Sequence, residues 1–136
     1  MGKDVFSMRL RTLPLLLLAL ALATGCAAAG ARHAALHRGV EVGLASYYAP
    51  ELRGRLTASG APYDEHQFTA AHRTLPFGTR VRVTNLANGR HVVVTITDRG
   101  PVPRDRVIDL SRRAAYALGF VRAGTTRVRL KVLSKR

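Results

Sequence analysis

The sequence predicts a mainly β domain, a small closed barrel with one short helix, and three observations carry that prediction. Apolar and polar residues alternate in several separate segments, the period of a half-buried strand. Gly, Pro and Asn punctuate those segments as turn formers. Only one segment has helical spacing between a capping residue and a terminal glycine.

Residues 1–25 read as a leader. Lys3, Arg9 and Arg11 precede an apolar run from Leu13 to Ala23, and small residues follow, which is the three-part order of an export signal. Eleven residues fall short of the roughly 20 needed to cross a bilayer as a helix. Met8 is an alternative start, since Arg9 and Arg11 alone supply a positive lead. The single cysteine, Cys26, follows Ala23, Thr24 and Gly25, and this block resembles a bacterial lipobox, whose cysteine carries the lipid of a mature lipoprotein. The alternative is an ordinary signal cleaved after Ala23 or within Ala27 to Ala29. Residues 26–39, rich in Ala, Gly, His and Arg without periodicity, read as a flexible tether. Residues 40–136 are the expected folded domain.

Val40 to Ala49 is strand-like up to Pro50. Thr79 to Leu86 alternates through Arg80, Val81, Arg82 and Val83, and His91 to Thr97 puts Val92, Val94 and Ile96 on one face. Asn88-Gly89 between them predicts a type I′ hairpin, in which both central residues take positive φ. Arg127 to Leu133 alternates again, with Val128, Leu130 and Val132 inward. Ser111 to Leu118 is the helix: Ser111 caps it, Ala114, Ala115 and Leu118 form its apolar stripe, and Gly119 ends it.

Composition excludes several classes of function. Among 136 residues, 22 are Lys or Arg and 8 are Asp or Glu, a net charge of +14, and 47% are hydrophobic. An apolar fraction near half excludes a disordered chain. One cysteine excludes a disulfide framework and a Cys-rich zinc site. Three of the basic and one of the acidic residues lie in the leader, so the remaining 111 residues keep 19 basic and 7 acidic side chains, net +12. No basic helix, zinc-finger spacing or aromatic RNA-binding run accompanies that charge. With an export signal in front, anionic envelope polymers and lipid head groups are the expected partners, and nucleic acid is not. A monomer is expected.

Three stretches interrupt the β pattern with polar residues. Thr57-Ala58-Ser59-Gly60-Ala61-Pro62-Tyr63-Asp64 is an irregular segment in which Asp64 either serves a site or bonds its own turn. Thr69-Ala70-Ala71-His72 places a histidine after three small residues; it is either a buried hydrogen-bonded residue or a group that orients a carboxylate or a sugar hydroxyl. His72 has no metal-ligand partner at recognisable spacing, because His33 and His37 lie in the tether, so neither metal nor cofactor is expected. Thr95-Ile96-Thr97-Asp98-Arg99-Gly100-Pro101 runs an apolar strand into an acid. Partly covered at a strand end, Asp98 is expected to resist ionisation and donate a proton to a leaving oxygen, with Arg99 on the opposite face. Asp109, in Arg106-Val107-Ile108-Asp109-Leu110-Ser111, is a second candidate acid or an electrostatic support for the helix start.

Together and in this order, Gly43-Leu44-Ala45-Ser46-Tyr47-Tyr48, Thr57-Ala58-Ser59-Gly60, Thr69-Ala70-Ala71-His72 with Leu75-Pro76, Val81-Arg82-Val83-Thr84-Asn85-Leu86, Asp98-Arg99-Gly100-Pro101 and the Arg106 to Ser111 block resemble the rare lipoprotein A family. The resemblance runs from about Gly43 to Leu133. It implies a six-stranded double-psi β-barrel with crossed psi loops, in an envelope lipoprotein on the periplasmic side, lipid-anchored through Cys26 to the outer or cytoplasmic membrane. It also implies endolytic cleavage of peptidoglycan between N-acetylmuramic acid and N-acetylglucosamine to 1,6-anhydro products. Expansins and a class of endoglucanases resemble the same barrel, and acids placed like Asp98 and Asp109 line their polysaccharide groove.

By that resemblance Asp98 is the acid and base, Asp64 and His72 orient substrate or tune Asp98, and Tyr47, Thr57, Ser59 and Asp109 contact substrate. Active members commonly carry glutamate directly after Thr-Ala-Ser-Gly, where this chain has Ala61. A methyl group neither donates nor accepts a proton. Two readings therefore stand side by side, a lytic transglycosylase and a non-catalytic peptidoglycan-binding lipoprotein. Longer members end in a carbohydrate-binding SPOR repeat; none follows the barrel segment here, so septal recruitment is not expected.

Overall fold

The computed structural model describes residues 39–134. The leader, Cys26 and the tether up to residue 38 lie outside the described residues. Among the described residues there are six strands: β1 Val40–Tyr47, β2 Thr69–Ala71, β3 Arg80–Asn85, β4 His91–Asp98, β5 Arg106–Leu110 and β6 Thr126–Ser134. One helix, α1 Arg112–Leu118, joins β5 to β6, and a 3-10 turn spans Pro50–Leu52.

The strands close a barrel in the order β1, β5, β2, β4, β3, β6 and back to β1. β1 with β5 and β2 with β4 run parallel, while the other four pairings are antiparallel. Closure leaves no free sheet edge. Gly39, assigned to the tether by the sequence reading, already accepts a hydrogen bond from Val132 N at 2.7 Å, so it belongs to the barrel.

Alternation fills the interior as expected. Val81 and Val83 from β3, Val94 and Ile96 from β4, and Val128 and Leu130 from β6 are buried, with Val132 half-buried at the end of the row. β2 and β5 were not legible as strands. β2 has only three residues, and β5 shows just two inward apolar positions, Ile108 and Leu110. At Gly43 the backbone of β1 comes so close to β5 that an added Cβ would meet Val107 Cγ1 at 2.2 Å.

The helix has its expected caps: Ser111 Oγ accepts from Ala114 N, and Gly119 ends the helix in the left-handed region. Ala114, Ala115 and Leu118 are buried. The hairpin between β3 and β4 differs from the type I′ expectation. Five residues, 86–90, connect the strands, and only Gly89 takes positive φ, at 76°. The reason is that Asn88 has other work. Its Nδ2 donates to Leu118 O at 2.9 Å, as does Asn85 Nδ2, so the two asparagines satisfy the last helical carbonyl that α1 leaves open.

Candidate active site

Three chain segments meet at the carboxylate of Asp98. Val92, Val94 and Ile96 form the apolar row of β4, and strict alternation would send Asp98 into the barrel with them. The pairing of β2 with β4 slips there: Ala70 pairs Ile96, but Ala71 pairs Asp98. Such an irregularity re-aims a side chain. Asp98 Oδ2 accepts from the Tyr48 hydroxyl at 2.6 Å, and Oδ1 accepts from Ala58 N and from Arg99 N, each at 2.8 Å. The carboxyl group is half-buried and an acceptor in all three contacts. The Arg99 guanidinium turns away, donating to the carbonyls of His72 and Leu75 and lying 4.0 Å from the Phe77 ring centroid.

The sequence reading names Tyr47 and not its neighbour Tyr48 as a contact, yet Tyr48 is the tyrosine bonded to Asp98. Ala45 is buried in the core, so alternation puts Tyr47 inward and Tyr48 outward. Tyr47 packs edge-on against Phe120 at 5.8 Å and donates its hydroxyl to Val121 O at 3.0 Å. Burial, the hydrogen bond to Asp98 and the nearby acidic charges together push the Tyr48 hydroxyl far above its ordinary range. It stays protonated and is a fixed donor. Tyr63 packs beside it with ring centroids 4.5 Å apart.

Asp109 lies on β5, not at the helix start. Ala71 sits between the two acids in register, paired with Asp98 on one side and Asp109 on the other. Burial raises the Asp109 carboxyl above its ordinary value; Arg106 and Arg73 pull it down, and Asp98 adds a further upward push. Asp109 Oδ1 is enclosed and 3.3 Å from Arg106 Nε, close as charges but not aligned as a hydrogen bond. Oδ2 accepts from Arg106 Nη2 at 3.4 Å.

The ring of His72 does not touch the Asp98 carboxylate. Its Nδ1 accepts from Thr74 N and Leu75 N, which fixes the proton on Nε2, 3.0 Å from Glu41 Oε2. A ring in that tautomer is neutral, so the contact with Glu41 is a hydrogen bond and not an ion pair. His72 reaches the site through its backbone, its N donating to Asp98 O at 3.1 Å. Asp64 closes its own turn, Oδ1 accepting from His66 N at 2.8 Å.

The loop above Asp98 is self-locked. Thr57 Oγ1 donates to Ala61 O at 2.7 Å and lies 2.9 Å from Ser59 Oγ, while Ser59 N donates to Thr97 O. Ser59 and Ala61 are exposed on this loop. The described surface also has open concavities. One, about 360 Å³, is lined by Glu65, His66, Arg112, Arg113 and Tyr116, and Arg112 N donates to the Tyr63 hydroxyl. The other, about 480 Å³, is lined by Arg73, Pro101, Val102 and Arg104.

Residues 40–130 match the family model described as lytic transglycolase. A "probable endolytic peptidoglycan transglycosylase RlpA" from Synechocystis is 52% identical over 100 residues, which are 74% of this chain and 31% of that protein. The chain thus spans about three-tenths of the length of such curated relatives. Among solved structures, a Streptomyces papain inhibitor aligns with a TM-score of 0.57 and 27% identity over 70% of this chain and 94% of that one. An expansin from Clavibacter michiganensis aligns with a TM-score of 0.57 and 23% identity over 71% of this chain and 52% of that one, a likeness of fold. Family match, barrel topology and the blocks around Asp98 agree: the chain belongs to the lytic transglycolase family and carries an RlpA-like double-psi β-barrel domain.

Proposed function

We propose that this chain cleaves peptidoglycan glycan strands within their length as a lytic transglycosylase. The single observation that carries the reading is the hold on Asp98 by Tyr48 Oη, Ala58 N and Arg99 N, three donors fixed before any substrate arrives. Donors aimed at a carboxyl group stabilise the charge that develops as it gives up a proton. The RlpA relatives, named for endolytic peptidoglycan transglycosylation, support the substrate and the reaction.

In the proposed reaction, protonated Asp98 gives its proton to the oxygen leaving with N-acetylglucosamine, and the bond from that oxygen to C1 of N-acetylmuramic acid breaks. An oxocarbenium-like centre develops at C1. The 6-hydroxyl oxygen of the same muramic acid bonds to C1, and its proton passes to Asp98, which regains its starting form as the 1,6-anhydro ring closes. No water is consumed, so one group serves both steps and the two-carboxylate spacing of hydrolases does not apply. Tyr48 steadies the carboxylate, and Thr57 and Ser59 offer hydroxyls to the sugar. His72 and Asp64 are positioning residues, the first through its backbone bond to Asp98 and the second by closing the turn before β2. Asp109 sets the local field. Lipidation at Cys26 and an envelope location follow from the same reading.

A second reading rests on Ala61. An exposed methyl group at the rim supplies no proton chemistry, and a chain without a required acidic partner would hold glycan without cutting it. Digestion of purified sacculi with mass spectrometry of the soluble products separates the two. Release of anhydro-muropeptides is the expected result. Co-sedimentation with sacculi and no such release would make the chain a binding protein.

A further inference from the structure

We propose that the face of the barrel formed by β3 and β6 docks on an anionic phospholipid surface. In the closed order of strands, β3 stands opposite β5 and β6 opposite β2, so this face lies across the barrel from Asp109 on β5. Its outward positions are Arg80 and Arg82 on β3 and Arg127, Arg129 and Lys131 on β6, all exposed. Arg82 pairs directly with Lys131 in register, and Arg129 pairs with Thr84. Among the described residues none of these five cations has an ion-pair partner or a side-chain hydrogen bond. Like charges directly opposite each other across strands cost stability, and an anionic surface relieves that cost.

Two observations favour a membrane over a linear cell-wall polymer. The face is amphipathic in two dimensions: exposed Val40 and Val42 of β1 lie in register beside Lys131 and Arg129, and exposed Leu133 continues the β6 row. A head-group layer meets such a lattice of cations with apolar residues between them, whereas a single glycan or phosphate chain meets one row. The chain also enters the barrel at this face. Val40 is separated from the end of the apolar run at Ala23 by 16 residues, and Lys135 and Arg136 follow β6 with two further cations.

The test uses the full chain carrying Cys26→Ser, so that no acyl group contributes, with vesicles of phosphatidylcholine alone or with 30% phosphatidylglycerol. Binding to the anionic vesicles is expected to exceed binding to the neutral ones by at least ~10-fold at low salt and to weaken as salt rises. Arg82→Gln with Arg129→Gln and Lys131→Gln is expected to remove more than ~10-fold of that preference, each cation near an anionic surface being worth about fivefold. A charge-matched control, Arg55→Gln with Arg104→Gln and Arg122→Gln, is expected to keep most of it, and circular dichroism confirms that both variants fold. Equal binding to the two vesicles, or equal loss in the two triple variants, overturns the proposal. So does a loss confined to sacculus binding, which would assign the face to a cell-wall polymer.

Discussion

The Tyr48 hydroxyl donates to Asp98 Oδ2 at 2.6 Å, linking the end of β1 to the end of β4 across the intervening β5 and β2. Hydrogen bonds to a charged group contribute roughly 1.5 to 3 kcal/mol. Tyr48→Phe keeps the ring beside Tyr63 and deletes only the donor. The rate of anhydro-product release is expected to fall about 10- to 100-fold, and the melting temperature to fall by several degrees while the fold is retained.

Asp109 predicts a pH dependence of stability. Burial raises its carboxyl above the ordinary 3.8 in the folded state, so the folded chain binds the proton more tightly than the unfolded one. That contribution is fully present below pH 3.8 and is lost as pH rises through the folded value. Asp109→Asn removes the loss. The difference in melting temperature, variant minus parent, is expected to be more favourable at pH 7 than at pH 4; the opposite order would contradict this assignment.

Gly43 tests the close approach of β1 to β5. A Cβ there meets Val107 Cγ1 at 2.2 Å, and valine has little rotameric freedom to move aside. Gly43→Ala is expected to destabilise the barrel by about 1 to 3 kcal/mol in urea unfolding. Adding Val107→Ala is expected to restore part of that loss.

Ala61 lies three residues beyond Ala58, whose N–H holds Asp98, and it is exposed. Ala61→Glu therefore adds a carboxyl group at the rim without a packing penalty. A positioned acid or base contributes about 10²- to 10⁴-fold, and initial rates on sacculi are expected to rise at least ~10-fold.

Much of the barrel was legible because its longer strands alternate. Val81 and Val83, Val92 to Ile96, and Val128 and Leu130 each announce an inward face, and Ser111 with Gly119 brackets the helix. β2 and β5 were illegible because three and five residues are too few to display a period; their pairing is fixed by barrel closure. Asp98 could be picked from its place at a strand end, but not the register slip at Ala70 and Ala71 that aims it. Tyr48 was within reach of simple parity from Ala45. His72 was not, since its tautomer is set by the backbone of Thr74 and Leu75 and its partner Glu41 lies 31 residues earlier.

Replacing Asp98 by asparagine keeps the size of the side chain and removes its proton chemistry. Parent and Asp98→Asn proteins are incubated with purified sacculi, and anhydro-muropeptides are quantified by mass spectrometry. Release by the parent and a loss of at least ~100-fold in the variant, with its melting temperature retained, are expected if Asp98 is the acid and base. Release by the variant at the parent's rate would contradict it.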